Sequence, residues 1–204
     1  METLTLVIFG YLVGSISFAY IFSRIFKGID IRTVGDHNAG TANVIRHVGL
    51  WAGILTVIFD IGKGIAVVLI ARYFTDYIVT VYLCGAVAVI GHAFPIFYGF
   101  KGGRGVATTI GIFLALMPFP TLTLLVLIGI IVFITGSMNL AVTSLFVPLL
   151  ILNLLIREDF LLSFYILFLG CLLWLFSLVL DKRLSIEERE EGLHLNLRHL
   201  NKAP

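Results

Sequence analysis

The sequence predicts an all-α integral membrane protein of about seven transmembrane helices, with the N-terminus outside and the C-terminus in the cytoplasm. Hydrophobic residues make up 59% of the 204 residues and charged residues only 13%, and the mean hydropathy is +1.07. This composition is typical of membrane proteins rather than of soluble domains. The first apolar run has no charged segment or small-residue cleavage site, so we expect it to be a retained span.

Seven apolar runs supply the predicted spans, and most of them reach the roughly 20 residues that a helix needs to cross the hydrocarbon core. The fourth and fifth are shorter and meet at Met117-Pro118-Phe119-Pro120, where the prolines predict a helix stop. These two could instead form a re-entrant pair, which also returns the chain to the same side. We predict a single membrane domain over 1–204. Its spans lie at about 3–23, 50–72, 77–97, 105–119, 121–136, 139–156 and 160–180, followed by a cytoplasmic tail at 181–204.

The placement of charge indicates the orientation. With the N-terminus outside, the inside segments hold 11 of the 14 Lys and Arg residues, and the outside loops hold only Arg72 and Arg157. Lys63 lies within the second span. Because positively charged loops stay in the cytoplasm, the polar segments that could carry chemistry face that side. The net charge of +2 gives no indication of nucleic-acid binding.

The most unusual stretch is Gly91–Thr108, GHAFPIFYGFKGGRGVAT, which lies between two apolar runs. It contains five glycines, whereas a connecting turn needs one or two Gly or Pro residues. Bare glycine backbone lets N–H groups approach an anion, and Lys101 and Arg104 would neutralise that anion. Thr108 adds a hydroxyl donor at the start of the next helix. The alternative is a tight cytoplasmic turn whose two cations follow from topology alone.

The first inside loop, Arg24–Gly49, combines turn residues with hydrogen-bonding side chains. Its centre, GDHNAG at 35–40, is a turn-rich cluster. Thr41, Asn43 and Arg46 follow at spacings that, in a helix, place Asn43 and Arg46 on adjoining surface. Arg46 offers a planar fork suited to phosphate or carboxylate, and the Asn and Thr side chains offer hydrogen bonds. The alternative is a soluble linker with a capped helix start.

Ionisable residues also lie within the predicted spans. Asp60 and Lys63 are three residues apart on one helical face of the second span. Such groups are expensive in a membrane and usually face a partner or a polar cavity. We therefore expect an internal Asp60–Lys63 pair, the alternative being a Lys63 directed at a cytoplasmic anion. His92 lies near the inner end of the third span, next to the glycine-rich stretch, where it is either a structural residue or part of a site. Cys84 and Cys171 lack metal-ligand spacing, so we expect neither a disulfide nor a zinc site.

Taken together, these stretches resemble the bacterial acyl-phosphate:glycerol-3-phosphate acyltransferases, small multi-span enzymes that begin phospholipid synthesis. GDHNAGTANVIR is similar to the family's GSGN-x-GATN-x-x-R, and DIGKG matches its D-x-x-K-G. The glycine-rich stretch matches almost throughout, with Arg104 where Lys is usual. GSISFAY resembles the opening GS-I-P-x-G-x, with Ser17 in place of Pro and Ala19 in place of Gly. The resemblance runs from about Gly14 to Thr108, with a weaker similarity of span pattern to the end.

Three departures from the family pattern concern its functional motifs. Asp36 stands where the family has a Ser that it needs for activity, and His37 stands where it has Gly. The family's C-terminal His-Arg-x-Asn-Ile corresponds at best to residues 182–186, KRLSI, which lack both the His and the Asn. A carboxylate at Asp36 would repel a phosphate unless a neighbour or a metal compensates it, or unless it has become a proton acceptor.

The resemblance implies attack by the 1-hydroxyl of glycerol 3-phosphate on an acyl phosphate, giving 1-acylglycerol 3-phosphate and phosphate. No covalent intermediate is required, so the demand falls on holding two phosphate-bearing substrates together and stabilising the oxyanion. The base would be substrate phosphate, Asp36 or His37. The acyl chain would lie in a groove between spans that opens sideways to the lipid. The alternatives are a paralogue with a changed donor or acceptor, and a non-catalytic lipid-phosphate binder or transporter.

The candidate residues therefore fall into two sets. The catalytic candidates are Asp36, His37 and Arg46. The substrate-binding candidates are Asn38, Gly40, Asn43, Lys63, His92, Lys101, Gly102, Gly103, Arg104, Gly105, Thr108, Lys182 and Arg183. We expect no metal and no cofactor. The expected partners are acyl phosphate, glycerol 3-phosphate and membrane lipid, with no nucleic acid, and the expected location is the bacterial cytoplasmic (inner) membrane, with the site facing the cytoplasm.

Overall fold

The structure, a computed structural model, describes residues 2–135, 138–156 and 159–179. The predicted tail at 181–204, with the candidates Lys182 and Arg183, lies outside these residues. The described chain forms α-helices joined by short loops and two 3₁₀ turns, at Ile31–Thr33 and Ile96–Tyr98. The helices are α1 (Thr3–Gly14), α2 (Phe18–Lys27), α3 (Thr41–His47), α4 (Leu50–Phe74), α5 (Ile78–Ala93), α6 (Val106–Leu116), α7 (Pro118–Thr135), α8 (Met138–Ile156) and α9 (Phe160–Val179).

Four segments of the described chain are long and apolar enough to cross a membrane: Thr3–Lys27, Leu50–Phe74, Ile78–Tyr98 and Phe160–Val179. The helix α6 is apolar but has only 11 residues. It is therefore about 17 Å long, shorter than a hydrocarbon core of roughly 30 Å.

The first apolar run is two helices rather than the single helix expected over 3–23. The helix α1 ends at Gly14, and Ser17 begins α2 by accepting a hydrogen bond from the Tyr20 N–H at 3.4 Å. Interrupting a helix frees backbone groups, which must find partners inside a membrane. The Ile16 carbonyl finds the Lys63 ammonium on α4 at 2.9 Å. This contact satisfies a backbone group that the break exposes.

The expected stop between the fourth and fifth runs is shorter than predicted. Met117 alone separates α6 from α7, and Pro118 is the first residue of α7. Proline suits this position because its missing N–H has no partner in the first turn of a helix. The prolines therefore start a helix after a one-residue bend instead of forming a four-residue turn.

Glycines bring two pairs of helices into backbone contact. A Cβ on Gly14 of α1 would collide with the Ala88 carbonyl of α5, and a Cβ on Gly64 of α4 would collide with the Thr108 carbonyl of α6. Gly111 of α6 lies as closely on the α4 backbone. Small residues replace the hydrophobic effect as the basis of helix association in lipid, because they allow close packing. These contacts fix α4, α5 and α6, which carry or border the glycine-rich stretch.

Two apolar clusters fill the interior. The larger lies among α1 and α4 to α9 and includes the stacked rings of Tyr82 and Tyr165, whose centroids are 4.4 Å apart. The smaller lies beneath the first loop and is formed by Ala19, Ile31, Ala39, Val44 and Ala52, each 0% or 1% exposed. This second cluster anchors the first loop on α2 and α4.

Candidate active site

The buried side chain of Asn43 holds the first loop together by hydrogen bonds to its backbone carbonyls. Its Nδ2 lies 3.1 Å from the Ile31 carbonyl, 2.9 Å from the Val34 carbonyl and 3.1 Å from the Asn38 carbonyl. The side chain is fully buried, whereas Arg46 on the same helix is exposed. The segment is helical, as the expected adjoining positions of these two residues require, but α3 presents Asn43 to the loop and Arg46 to the solvent.

The turn that precedes α3 contains two residues in left-handed conformation. Gly35 has φ 64° and His37 has φ 53°. Asp36 between them accepts a hydrogen bond from the Asn38 N–H at 3.3 Å, and the Gly40 N–H donates to the Asn38 carbonyl at 2.8 Å. A non-glycine residue in this region costs roughly 1–2 kcal/mol. The conformation at His37 thus explains why a glycine in the resembled family suits this position.

Asp36 and Arg46 form an ion pair at the surface. The Arg46 guanidinium lies 3.5 Å from Asp36 Oδ2, and the side chains are 58% and 32% exposed. An exposed pair of this kind contributes about 0–1 kcal/mol. Arg46 therefore supplies the neighbour that compensates the Asp36 carboxylate, and the weakness of the pair leaves the guanidinium available to a competing anion.

His37 has a defined tautomer when neutral. Its Nδ1 lies 3.1 Å from the Arg32 carbonyl. Because a carbonyl can only accept, Nδ1 carries the proton and Nε2 keeps its lone pair. The half-buried His37 thus presents a hydrogen-bond acceptor next to Asp36 in the chain.

A set of contacts made by Arg32 joins the first loop to the glycine-rich stretch, and sequence reasoning missed it. Arg32 binds both oxygens of Asp30, at 2.9 and 2.7 Å, and also donates to the Tyr98 carbonyl. The Tyr20 ring lies 4.9 Å from the Arg32 guanidinium and 4.8 Å from the Tyr98 ring, measured to its centroid. The Arg32 guanidinium holds the pKa of Asp30 below its usual value. This contribution to stability is present above the ordinary carboxyl pKa and is lost as the pH falls through the lowered one.

The centre of the site is a buried cluster of Asp60, Lys63 and His92. The Lys63 Nζ lies 2.7 Å from Asp60 Oδ1 and 2.9 Å from His92 Nδ1. Both side chains of the Asp60–Lys63 pair are 2% exposed. The structure thus contains the internal pair that the spacing predicted, and it adds His92 and the Ile16 carbonyl as further partners of the same ammonium.

The glycine-rich stretch packs directly on this cluster. The Gly102 N–H donates to the Ala93 carbonyl and the Gly103 N–H to the His92 carbonyl, both at 3.1 Å. A Cβ on Gly103 would lie 2.5 Å from His92 Nε2 and 2.6 Å from the Ala39 carbonyl. These glycines therefore allow three backbone segments to meet. Their amides bind the end of α5 rather than the anion that the sequence suggested.

The remaining candidates of the glycine-rich stretch lie beside the glycines that pack on the cluster of Asp60, Lys63 and His92. Lys101 is exposed and Arg104 is half-buried. Gly105, with φ 87°, is the N-cap of α6, and Thr108 lies in the first turn of that helix with its hydroxyl buried. The structure therefore brings the first loop, the middle of α4, the C-terminal end of α5 and the glycine-rich stretch together. Within the described residues, no group of three or more His, Cys, Asp or Glu could hold a metal ion.

Gly103→Ala is expected to lower activity at least tenfold, because a methyl group there would displace His92 or the Ala39 backbone, and overpacking costs typically 1–3 kcal/mol. Steady-state kinetics and thermal unfolding of the variant in detergent check this. Gly62→Ala is the matched control, since a Cβ on Gly62 meets nothing within 4 Å and helical Ala is favourable. Equal activity of the two variants would contradict the proposed contact.

Comparison with known proteins identifies relatives over most of the chain. The model of the family described as glycerol-3-phosphate acyltransferase matches residues 4–186. A glycerol-3-phosphate acyltransferase of Shouchella clausii is 45% identical over 118 residues, which are 57% of this chain and 58% of the relative. Glycerol-3-phosphate acyltransferase 2 of Dehalococcoides mccartyi (strain ATCC BAA-2266 / KCTC 15142 / 195) is 47% identical over 108 residues, 53% of this chain and 51% of the relative. The chain thus spans between half and three fifths of the length of these curated relatives.

Solved structures extend the similarity. The chain is similar to two crystal structures of PlsY (YgiH), an integral membrane glycerol 3-phosphate acyltransferase, at 32% identity over 91% of this chain and 92% of that one. The TM-score is 0.79 for the glycerol 3-phosphate form and 0.76 for the lysophosphatidic acid form. The all-helical, multi-pass integral membrane architecture is confirmed by this match.

Proposed function

This chain belongs to the glycerol-3-phosphate acyltransferase family, and from that premise we propose that it transfers an acyl group from acyl phosphate to glycerol 3-phosphate. The products are 1-acylglycerol 3-phosphate and inorganic phosphate, and the reaction serves phospholipid synthesis. The observation that carries this proposal is the convergence of the first loop and the glycine-rich stretch at Ala39, Gly103 and His92. Both segments carry the motifs that resemble the family.

The proposed topology has seven helical passes through the bacterial cytoplasmic membrane, with the N-terminus outside and the tail in the cytoplasm. The excess of Lys and Arg in the predicted inside segments supports it. The chain is then one membrane domain with its site on the cytoplasmic side. The first pass is the interrupted helix over Thr3–Lys27.

The length of α6 supports a site recessed into the inner leaflet. The glycine-rich stretch leads into α6, which has only 11 residues. This length corresponds to about 17 Å, against roughly 30 Å for the hydrocarbon core. A loop that leads into so short a helix lies below the membrane surface, where a phosphate from the cytoplasm and an acyl chain from the lipid can meet. The acyl chain would enter sideways between helices.

The proposed chemistry depends on electrostatics. The 1-hydroxyl oxygen forms a bond with the acyl carbonyl carbon, the bond to the phosphate oxygen breaks, and phosphate leaves with that electron pair. Arg46, Lys101 and Arg104 would hold the phosphates and stabilise the oxyanion. Further proposed ligands are Asn38, His92, Gly105, the buried hydroxyl of Thr108, and Lys182 and Arg183 of the tail. We leave out Lys63, because three protein acceptors surround its ammonium.

The proton of the attacking hydroxyl needs an acceptor. His37 Nε2 carries a lone pair in the neutral tautomer that the Arg32 carbonyl favours. Asp36 is engaged with Arg46 and becomes a second candidate only when a substrate phosphate takes over the guanidinium. Substrate phosphate is the third acceptor, as in the family that the motifs resemble.

The test of this function is phosphate release from palmitoyl phosphate by the purified full chain in detergent, with and without glycerol 3-phosphate. The proposal expects release that depends on the acceptor, with lysophosphatidic acid as second product. Release independent of the acceptor would indicate a hydrolase or a different acceptor. No release from folded protein would contradict acyl transfer and favour a lipid-phosphate binder.

Asp36→Ser is expected to lower the KM for glycerol 3-phosphate about two- to fivefold, because it removes an exposed carboxylate that competes for Arg46. Initial-rate kinetics over a range of acceptor concentrations measure this. Asp159→Ser is a suitable control, since it also removes one carboxylate but lies next to α9, outside the proposed site. A collapse of kcat in Asp36→Ser would instead show that Asp36 has a role of its own, such as proton acceptance.

A further inference from the structure

The Lys63 ammonium determines which ring nitrogen of His92 carries a lone pair. An ammonium has three N–H donors and no acceptor. Three acceptors surround it in the structure: Asp60 Oδ1 at 2.7 Å, the Ile16 carbonyl at 2.9 Å and His92 Nδ1 at 2.9 Å. His92 Nδ1 must therefore carry a lone pair, because a proton there would point at a donor.

The other nitrogen of the same ring then carries the proton. Asp60 Oδ1 lies 3.6 Å from His92 Nδ1, beyond hydrogen-bonding distance, so the carboxylate does not hold a proton on Nδ1. A neutral imidazole with a lone pair on Nδ1 has its N–H at Nε2. His92 Nε2 lies next to Gly103, on the side of the ring that faces the glycine-rich stretch and the Ala39 carbonyl.

We propose that His92 is a neutral hydrogen-bond donor to a substrate phosphoryl oxygen, and that the Asp60–Lys63 pair is the positioning device that keeps its proton on Nε2. The inference rests on the proposed function for the identity of the phosphate compound. It assigns Lys63 a role through His92, in place of direct contact with the anion. The arrangement gives the site a donor of fixed direction that requires no additional charge inside the membrane.

Two substitutions separate donation to a phosphate from a structural hydrogen bond with Lys63. In His92→Gln the side-chain amide reaches the position of Nε2 and can donate there, whereas in His92→Asn the shorter side chain reaches only the position of Nδ1 and can accept from Lys63. The proposal expects the KM for glycerol 3-phosphate or palmitoyl phosphate to rise at least tenfold in His92→Asn, with substantial recovery in His92→Gln. The reverse order of the two variants would overturn it.

A spectroscopic measurement on the unmodified chain keeps the test independent of variant folding. In the full protein with ¹⁵N-labelled histidine, the signal of His92 is assigned by its absence from the His92→Gln spectrum. The expected result is the Nε2–H tautomer, with a shift of that N–H resonance when glycerol 3-phosphate or palmitoyl phosphate is added. An Nδ1–H tautomer, an imidazolium, or a signal that moves with neither compound at saturation would each contradict the proposal.

Failure of this inference is distinguishable from failure of the proposed function. If the wild-type chain releases phosphate in an acceptor-dependent manner but the His92 signal does not respond, the donor role fails and the function stands. If the signal responds to glycerol 3-phosphate but no acyl transfer is measured, the donor role stands as part of a phosphate-binding site and the function fails.

Discussion

Arg46→Ala is expected to lower kcat/KM for glycerol 3-phosphate by about 10²–10³-fold, the usual effect of removing one donor that stabilises charge in a reaction centre. Arg46 is an exposed cation of the first loop, and its present partner is a single carboxylate at 3.5 Å. A phosphate with two or three anionic oxygens can accept both arms of the guanidinium and displace that weak pair. The loss should therefore appear as a loss of function while the fold is retained.

The fold should survive because the contact of Arg46 with Asp36 is exposed and weak. Asn43 and the buried cluster of Ile31, Ala39 and Val44 fix the loop, and a surface substitution outside such contacts changes stability by about 0.5 kcal/mol or less. Arg72→Ala is the matched control, since it removes the same charge at the opposite end of the membrane domain, near the C-terminus of α4. An Arg46→Ala variant with the kcat/KM of the Arg72→Ala control would remove Arg46 from the site.

The helices were predictable from the sequence, but their interruptions were not. Each predicted apolar run contains helix in the described residues, since runs of this length and hydrophobicity leave a membrane chain few alternatives. The break after Gly14 falls within a continuous apolar run. It is tolerated because Lys63, distant in sequence, donates to the Ile16 carbonyl. A hydropathy pattern contains no information about such a tertiary partner.

The sequence was sufficient to predict which residues lie in or near the site more often than what each of them does there. Spacing on one helical face was enough to predict the Asp60–Lys63 pair, which the structure confirms. Asn43 was expected to face a substrate, yet it holds backbone carbonyls, because a buried structural amide and a ligand-binding amide have the same sequence signature. The glycines of the loop were expected to expose amides to an anion. At Gly102 and Gly103 they serve close packing, which sequence alone cannot distinguish.

The second large effect is expected for Lys63→Met, which should reduce the yield of folded protein and lower its Tm strongly. Removing one member of a buried ion pair typically costs about 3–5 kcal/mol, because the remaining charge is left without a partner. Here Asp60, at 2% side-chain exposure, would keep an uncompensated charge. The same substitution also deprives the Ile16 carbonyl at the α1–α2 break of its donor. Thermal unfolding in detergent, followed by size-exclusion chromatography, measures the loss.

The double variant Asp60→Asn/Lys63→Met separates the two costs. It removes both charges, so the penalty for a lone buried carboxylate disappears while the Ile16 carbonyl still lacks its donor. We expect its Tm to lie between those of Lys63→Met and the wild type, and its activity to stay low because His92 has lost the group that orients its tautomer. If Lys63→Met alone unfolds at the wild-type temperature, the pair contributes little to stability. If the double variant is as unstable as the single one, the broken helix, rather than the lone charge, accounts for the effect.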